Sequence, residues 1–301
     1  MATEQKFPVK CLSNVEKVDL EKLPHIGTGI KSLDRIIKGL FGSQLIVITG
    51  ERGQGKSTFA SWILANALNQ DRKIFAYSGE LPDYHFRNWL DIQIAGTQNI
   101  ITETNKWGDE SYHVSDSACD MLTRYYDGRA YLYDNSAVSQ GRLQDMLLGS
   151  IRYSAEALGC SVVLVDNIMT AVDMLSNDAY AVQSAFVKDL KAIAAEKNIT
   201  IILIAHPRKT EAGKQISNND VSGSADITNL ADTVLTYSRL KKEGKYQSAI
   251  QVTKNRLNGR LATGDYAIKV EFSDKTKRIK SDDDSEIPEL MCCFKPDHVP
   301  F

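Results

Sequence analysis

The stretch GERGQGKST, residues 50–58, decides the fold of this chain. It follows the apolar run QLIVIT, which has the pattern of a buried strand, and it precedes a predicted helix at residues 57–69. Between a strand and a helix, the spacing GxxxxGK[ST] is typical of a P-loop, whose glycines let backbone N–H groups surround a phosphate. The sequence therefore predicts a site for a nucleoside triphosphate, and a glycine-rich turn without a ligand is the less favoured alternative.

Two residues of this loop have specific chemical roles. We expect Lys56 to reach the β- and γ-phosphates of ATP and the Ser57 hydroxyl to bind Mg²⁺. The positive end of the dipole of the following helix adds to the attraction for phosphate. The loop residues predicted to bind ATP are Gly50, Glu51, Arg52, Gly53, Gln54, Gly55, Lys56, Ser57 and Thr58.

Composition narrows the class of protein. Hydrophobic residues make up 43% and charged residues 25%, which excludes a disordered chain. The five cysteines are an odd number without CxxC spacing, which favours reduced thiols in a cytosolic compartment. The N-terminus has no apolar signal core, and no run approaches the roughly 18 apolar residues of a membrane span. We therefore expect a cytoplasmic protein, bacterial or phage-encoded, with no membrane partner.

The formal net charge of −2 gives the whole molecule no attractive field for nucleic acid. Any contact with a phosphate backbone must therefore come from a local group of basic residues.

Strand and helix patterns alternate along most of the chain, which predicts an α/β fold with a mostly parallel sheet flanked by helices. After residue 245, SAIQVTKNR and YAIKVEFS alternate in the manner of antiparallel edge strands. We expect an N-terminal arm or linker at 1–24, one core at 25–280 and an acidic tail at 281–301. The predicted strands are 44–49, 73–78, 130–133, 161–165, 200–205 and 232–237, and the predicted helices are 57–69, 82–95, 139–158 and 180–197.

Acidic residues follow two of these strands. Asp166 ends SVVLVD, at the sheet edge that the P-loop occupies, where a carboxylate can assist in holding Mg²⁺ and ATP. Its alternative role is to cap the next helix. The neighbouring Asn167 cannot take a proton from water, so the base is predicted to be Glu80, just after strand 73–78. Glu80 could instead stabilise the first turn of the helix that Pro82 opens.

The strand ITIILIA leads to His206, at the same edge. A histidine here can contact the γ-phosphate, although a lone histidine is more often an ordinary core residue. The polar loop 207–224 follows, and long loops inside a compact domain are usually functional. A solvated loop without a ligand is about as well supported. The loop residues that we predict to bind DNA are Arg208, Lys209, Lys214, Asn218, Asn219, Ser222 and Gly223.

Lys254 and Arg256 in QVTKNR are two residues apart, which places both on one face of a strand. Adjacent cations need an anion nearby, and the γ-phosphate held by a neighbouring subunit would provide it. The alternative is a charged edge strand that prevents aggregation.

Taken together, the motifs resemble the RecA-type P-loop ATPase domain of hexameric replicative DNA helicases, the DnaB family and especially its Twinkle and phage helicase-primase branch. The resemblance covers about residues 25–280. It rests on GERGQGKST, YSGELP, VVLVDN, IAHPRK, GSADITNLADTVL and KNRLNGRLATGDY in family order.

The resemblance implies an ATP-dependent helicase that moves along single-stranded DNA, assembled as a hexameric ring. It implies that Glu80 is the catalytic glutamate, that His206 senses the γ-phosphate, and that Lys254 and Arg256 reach into the neighbour's site. Residues 207–224 resemble a loop that grips DNA in the ring's channel. The tail resembles segments through which replication proteins contact partners, so a replisome partner is expected there.

The family usually carries a further N-terminal domain, which residues 1–24 are too few to form, so we expect no primer synthesis from this chain. Two other functions remain open at this stage. One is a RecA- or RadA-like recombination ATPase that forms filaments, and the other is a KaiC-like regulatory ATPase that does not bind DNA.

Overall fold

A computed structural model describes residues 9–19, 22–136, 142–172, 179–206, 226–242 and 245–284. Within these residues the strands are β1 (His25–Ile26), β2 (Leu40–Phe41), β3 (Gln44–Thr49), β4 (Ile74–Ser78), β5 (Ile100–Thr104), β6 (Glu110–Val114), β7 (Ala130–Leu132), β8 (Val162–Asp166), β9 (Thr200–Ile204), β10 (Thr233–Lys242), β11 (Lys245–Asn255), β12 (Ile268–Phe272) and β13 (Ile279–Ser281). The helices are α1 (Lys31–Ile37), α2 (Lys56–Asn69), α3 (Asp83–Ala95), α4 (Asp116–Tyr126), α5 (Leu143–Glu156), α6 (Ile168–Ala171), α7 (Ala179–Lys197) and α8 (Asp226–Leu230).

The main sheet of the described chain has nine strands in the order β13-β12-β11-β10-β3-β9-β8-β4-β7. From β10 to β7 neighbouring strands are parallel, and from β10 to β13 they are antiparallel. The predicted fold class, a mostly parallel sheet with antiparallel strands near the C-terminus, is confirmed.

Helices cover both faces of this sheet. In β3, Ile46 and Ile48 pack with α1–α4 in one apolar cluster, whereas Leu45 and Val47 pack with α5–α8 in the other. Side chains alternate between the faces of a strand, so a strand covered on both sides must be apolar throughout. This explains the continuous apolar runs from which the central strands were predicted.

The region between α3 and β7 was not predicted. It holds the antiparallel hairpin β5–β6 and the helix α4. The four residues of β5 after Ile100 are exposed, so the hairpin lacks the apolar alternation of a half-buried strand. In α4 the buried Ala118, Leu122 and Tyr125 stand at helical spacing, a signal that was available in the sequence.

The predicted domain boundaries stay predictions. The arm is described at residues 9–19, and the tail only as far as Asp284. There Asp283 pairs with Arg35 of α1 at 2.7 Å, and Asp284 accepts a hydrogen bond from the Lys31 N–H. No helix in the described ranges is long and apolar enough to cross a bilayer.

The parallel strands end at one edge of the sheet. Ser78 of β4 is paired with Asp166 of β8, and Ile48 of β3 with Ile204 of β9. The segments that leave these four strands therefore lie side by side, and each carries residues that the sequence singled out.

Only glycine fits at position 79, because the segments that follow β4 and β8 approach each other closely there. Its N–H donates to the Asp166 carbonyl at 2.7 Å. A Cβ atom at Gly79 would lie 2.1 Å from Oγ1 and 2.5 Å from Cβ of Thr170 in α6. Thr170 is β-branched and its χ1 is stiff, so it cannot move aside at low cost.

We predict that Gly79→Ala lowers the free energy of unfolding by about 1–3 kcal/mol, because the added methyl group overpacks this contact. Urea denaturation monitored by circular dichroism measures the change. Gly149→Ala is the matched control, since nothing lies within 4 Å of its Cβ position in α5. The control should stabilise the helix by about 0.5–1 kcal/mol. Equal stability of Gly79→Ala and wild type would contradict the steric argument.

Candidate nucleotide-binding site

The loop between β3 and α2 has the form of a phosphate-binding loop. Gly50, Gly53 and Gly55 have φ angles of 150°, 74° and 101°, which favour glycine. Lys56 is only 5% exposed, and its Nζ donates to the carbonyls of Gly50 and Glu51 at 2.8 Å each. The lysine ammonium is thus held inside the loop, where phosphate oxygens would bind.

The loop is also fixed against β10. A Cβ atom at Gly50 would lie 2.1 Å from the Tyr237 carbonyl oxygen, so only glycine allows this packing. The Gln54 side-chain oxygen accepts a hydrogen bond from the Arg239 N–H at 2.6 Å. These contacts set the position of the loop before any ligand binds.

Asp166 lies at the end of β8, close to the loop, and is 3% exposed. Burial raises the pKa of its carboxyl to about 6, while a hydrogen bond from Ser57 and the charge of Lys56 act to lower it. Burial also lowers the pKa of Lys56 to about 8, against the attraction of Asp166 and Glu80. Each charge lacks part of its solvation, so the site favours additional ions of the complementary sign.

Ser57 and Asp166 form a donor set suited to Mg²⁺. Both supply hard oxygen atoms, and the hydrogen bond between them places the two side chains next to each other. No group of three or more metal-binding side chains occurs among the described residues. A site of this composition fits Mg²⁺, which keeps several waters and is also bound by substrate phosphates.

The remaining polar residues at this edge form one group. Glu80 Oε1 accepts a hydrogen bond from the Asn167 side chain and lies 3.4 Å from His206 Nε2. Asn167 Nδ2 is 3.0 Å from the same His206 nitrogen. Burial, and then the charge of Lys56, hold the pKa of His206 below its usual value, which favours the neutral imidazole.

A cavity of about 610 Å³ joins these residues, a size typical of small-molecule sites. The structure therefore brings Lys56, Ser57, Asp166, Glu80 and His206 together as the sequence analysis expected. The cavity is lined by Arg52, Gly53, Gly55, Lys56, Ser57, Thr58, Ser61, Glu80, Leu81, His85, Phe86, Trp89, Asp166 and His206.

A second cavity of about 190 Å³ adjoins the first and shares part of the loop in its lining. The sequence analysis missed its aromatic lining, which comes from three separate elements: Trp89 of α3, Tyr237 of β10 and Phe272 of β12. Arg239 and Ser248 add polar groups. No local motif connects these residues, so only the folded chain identifies them.

Lys254 and Arg256 occupy a different place. Lys254 Nζ donates to the carbonyls of Thr228 and Asn229 at 2.6 and 2.9 Å, and Arg256 also donates to Asn229. These carbonyls belong to the C-terminal turn of α8, where the helix dipole favours cations. Arg256 is one residue beyond the end of β11, and both cations reach the same Asn229 carbonyl, so they lie on one side, as expected. Burial and the nearby Arg256 lower the pKa of Lys254.

This pair lies near the edge of the sheet opposite the P-loop. The Arg256 N–H donates to the Asp232 carbonyl, and the Asp232 N–H donates to the Leu45 carbonyl, both at 2.8 Å. Leu45 is four residues before Thr49, which corresponds to roughly 13 Å along β3. Arg256, whose side chain is 51% exposed, is therefore remote from its own P-loop.

The residues predicted to contact DNA lie outside the described part of the chain, and their role stays a prediction. They are Arg208, Lys209, Lys214, Asn218, Asn219, Ser222 and Gly223.

Comparison with known proteins identifies the family of this chain. The profile of the DnaB-like helicase C-terminal domain matches residues 25–281. The replicative DNA helicase DnaB of Buchnera aphidicola (from Schizaphis graminum) is 22% identical over 232 residues, 74% of this chain and 49% of that protein. The DNA helicase/primase of Enterobacteria phage T3 is 25% identical over 227 residues, 70% of this chain and 38% of that protein. The chain thus spans about half or less of the length of these relatives.

Solved structures share the fold. One, described as a DnaB-like replicative helicase and its interactions with primase, has a TM-score of 0.68 at 16% identity and covers 86% of this chain and 63% of its own. A KaiC-like protein from Pyrococcus horikoshii has a TM-score of 0.60 at 17% identity and covers 86% of this chain and 99% of its own. The resemblance stated from the motifs is confirmed: with its profile match over residues 25–281, the chain belongs to the DnaB-like helicase C-terminal domain family.

Proposed function

We propose that this chain is the ATPase motor of a replicative-type DNA helicase, coupling ATP hydrolysis to movement along single-stranded DNA and to unwinding of duplex DNA. The observation that carries the proposal is the convergence of Lys56, Asp166, Glu80 and His206 on one cavity. Phosphoryl transfer requires a phosphate-binding loop, an acidic residue for Mg²⁺, a base and a residue that contacts the γ-phosphate.

Each residue has a separate task in this mechanism. Lys56 exchanges its carbonyl partners in the loop for the β- and γ-phosphates of ATP. Ser57 and Asp166 would hold Mg²⁺, which when bound would neutralise charge that develops on the phosphates. Glu80, whose side chain is 51% exposed toward the cavity, orients a water molecule and takes its proton. His206 contacts the γ-phosphate beside it.

The second cavity is suited to the nucleobase. It adjoins Gly53, Gln54 and Gly55 of the loop, so a nucleotide with its phosphates at Lys56 can reach it. Trp89 and Phe272 offer aromatic surfaces for stacking, and an aromatic face accepts any base.

The site is completed by a second copy of the chain. Among the described residues, no cation from the opposite edge of the sheet lines the cavity, whereas Lys254 and Arg256 lie on another surface of the same molecule. In a closed ring of identical subunits this surface faces the neighbour's P-loop. Arg256 then acts as an arginine finger in the neighbour's site. The ring is a hexamer, as the family resemblance implies.

The remaining proposals concern DNA and partners. Loop 207–224 binds single-stranded DNA through Arg208, Lys209 and Lys214, and the acidic tail 281–301 contacts a replisome partner. Such a protein acts in the cytoplasm.

We predict that Glu80→Gln binds ATP with unchanged affinity but hydrolyses it about 100-fold more slowly or worse, because an amide cannot accept a proton. Phosphate release measures hydrolysis, and titration with a fluorescent nucleotide measures binding. Glu271→Gln is the control, since Glu271 pairs with Lys280 in the antiparallel strands, outside the cavity lining. Wild-type turnover by Glu80→Gln would exclude Glu80 as the base.

A mixing experiment tests the composite site. Lys56→Ala and Arg256→Ala should each be inactive, and a mixture should recover ATPase activity, because some interfaces combine an intact P-loop with an intact finger. A mixture of Lys56→Ala and Glu80→Gln is the matched control and should stay inactive, because both residues belong to the same half of the site. Without recovery at any ratio, Arg256 does not act in trans.

DNA dependence separates a helicase from a regulatory ATPase. We predict that single-stranded DNA stimulates ATP hydrolysis. The affinity of the protein for this DNA should fall at least about tenfold between 50 and 200 mM salt, because each lysine or arginine that binds a phosphate releases a counterion from the DNA. Arg208→Ala should weaken the stimulation, whereas Lys269→Ala, on an exposed position of β12, should not. ATPase activity indifferent to DNA would favour a KaiC-like role. Filaments on DNA without unwinding of a forked duplex would favour a recombinase.

A further inference from the structure

Asn167 has contacts that the mechanism above does not use. It is fully buried at the end of β8, between the side chains of Glu80 and His206. Its Nδ2 donates to Glu80 Oε1 and lies 3.0 Å from His206 Nε2. An amide nitrogen carries two hydrogens, so it can donate to both partners at once.

The orientation of the Asn167 amide is set by α6. Asn167 is the N-cap of this helix, and its Oδ1 accepts hydrogen bonds from the N–H groups of Met169 and Thr170 at 2.8 and 3.3 Å. The Asn167 N–H donates to the Thr170 hydroxyl oxygen, which completes a capping box. Because Oδ1 must face the helix, Nδ2 must face Glu80 and His206.

This orientation also bears on the tautomer of His206. With Nδ2 of Asn167 as the donor at 3.0 Å, Nε2 is the acceptor, which requires the tautomer that carries its proton on Nδ1. The contact from Nε2 to Glu80 Oε1 is longer, at 3.4 Å, and the buried Nδ1 has no hydrogen-bond partner among the described residues, so the tautomer is an outcome to be measured.

We propose that Asn167 is a positioning residue of the hydrolysis site. Through its two amide hydrogens it holds the side chains of Glu80 and His206 at a fixed distance from each other. This inference rests on the proposed function, in which Glu80 activates water and His206 contacts the γ-phosphate. A common donor sets the spacing between these two side chains. When His206 turns to the phosphate it releases one amide hydrogen, and the amide remains bound to Glu80 and to the first turn of α6.

Two variants test this role without removing the helix cap. Asn167→Asp is isosteric and keeps the acceptor for α6, but replaces the donor with an oxygen atom. Asn167→Ser also caps helices and is too short to reach Glu80. Both should reduce kcat about 10- to 100-fold with KM for ATP changed less than about threefold, because misplacement of a base affects the chemical step.

Thr170→Ala is the matched control. It removes the reciprocal bond of the capping box and leaves the Asn167 amide in place. Its melting temperature should fall by a few degrees while kcat stays within about twofold of wild type. If Thr170→Ala lowers kcat as much as the Asn167 variants do, capping of α6 and not the shared donor is responsible, and the proposal fails.

A spectroscopic readout is independent of turnover. In protein labelled with ¹⁵N-histidine and without nucleotide, His206 should show the Nδ1–H tautomer, with its signal assigned from a His206→Gln variant. Asn167→Asp should move the proton to Nε2, where the new carboxylate accepts it. An Nε2–H tautomer in the wild type, or full kcat in both Asn167 variants, would overturn the proposal.

These outcomes are separable from failure of the proposed function. If the wild type does not hydrolyse ATP, or Glu80→Gln is fully active, the proposed function itself is wrong. If wild type is active, Glu80→Gln is inactive and both Asn167 variants are fully active, only the role of Asn167 is refuted.

Discussion

The parallel pairing of β3, β9, β8 and β4 is the constraint on which the rest of the structure depends. Parallel strands all deliver their following residues to the same edge of a sheet, and the register opposes Ser78 with Asp166. The P-loop begins directly after one of these strands. Glu80, Asn167 and His206 each lie within two residues of the end of another. The chemistry of the site is therefore a direct consequence of strand direction and register.

Burial of charge is the second determinant of the site. Lys56 and Asp166 are both almost inaccessible, and burial is the largest cause of the fall in one pKa and the rise in the other. The attraction between Lys56 and Asp166 only partly offsets these pKa shifts. Groups in that condition gain from any ligand that brings complementary charge, and the ATP and Mg²⁺ proposed above would bring both signs. The binding energy is thus prepared by the fold before the ligand arrives.

The sequence-based predictions were accurate where a short segment has a clear hydrophobic pattern and inaccurate where it does not. Central strands such as β8 and β9 were predicted to within a residue or two, because a strand buried on both faces must be apolar throughout. The hairpin β5–β6 was missed because its side chains are exposed. Lys254 and Arg256 were expected on one side of a strand, and both reach the Asn229 carbonyl, but their contact with α8 was not predicted.

The sequence by itself determined the fold class and the main residues of the site, because a P-loop, apolar strands and the residues after them are patterns within short segments. Only the tertiary structure decided which side chains contact one another. Trp89, Tyr237 and Phe272 are brought to one cavity by three elements far apart in the chain. Asn167 was judged from the sequence only as a residue that cannot be a base. Its position between Glu80 and His206 depends on the pairing of three strands, a long-range property that no local pattern encodes.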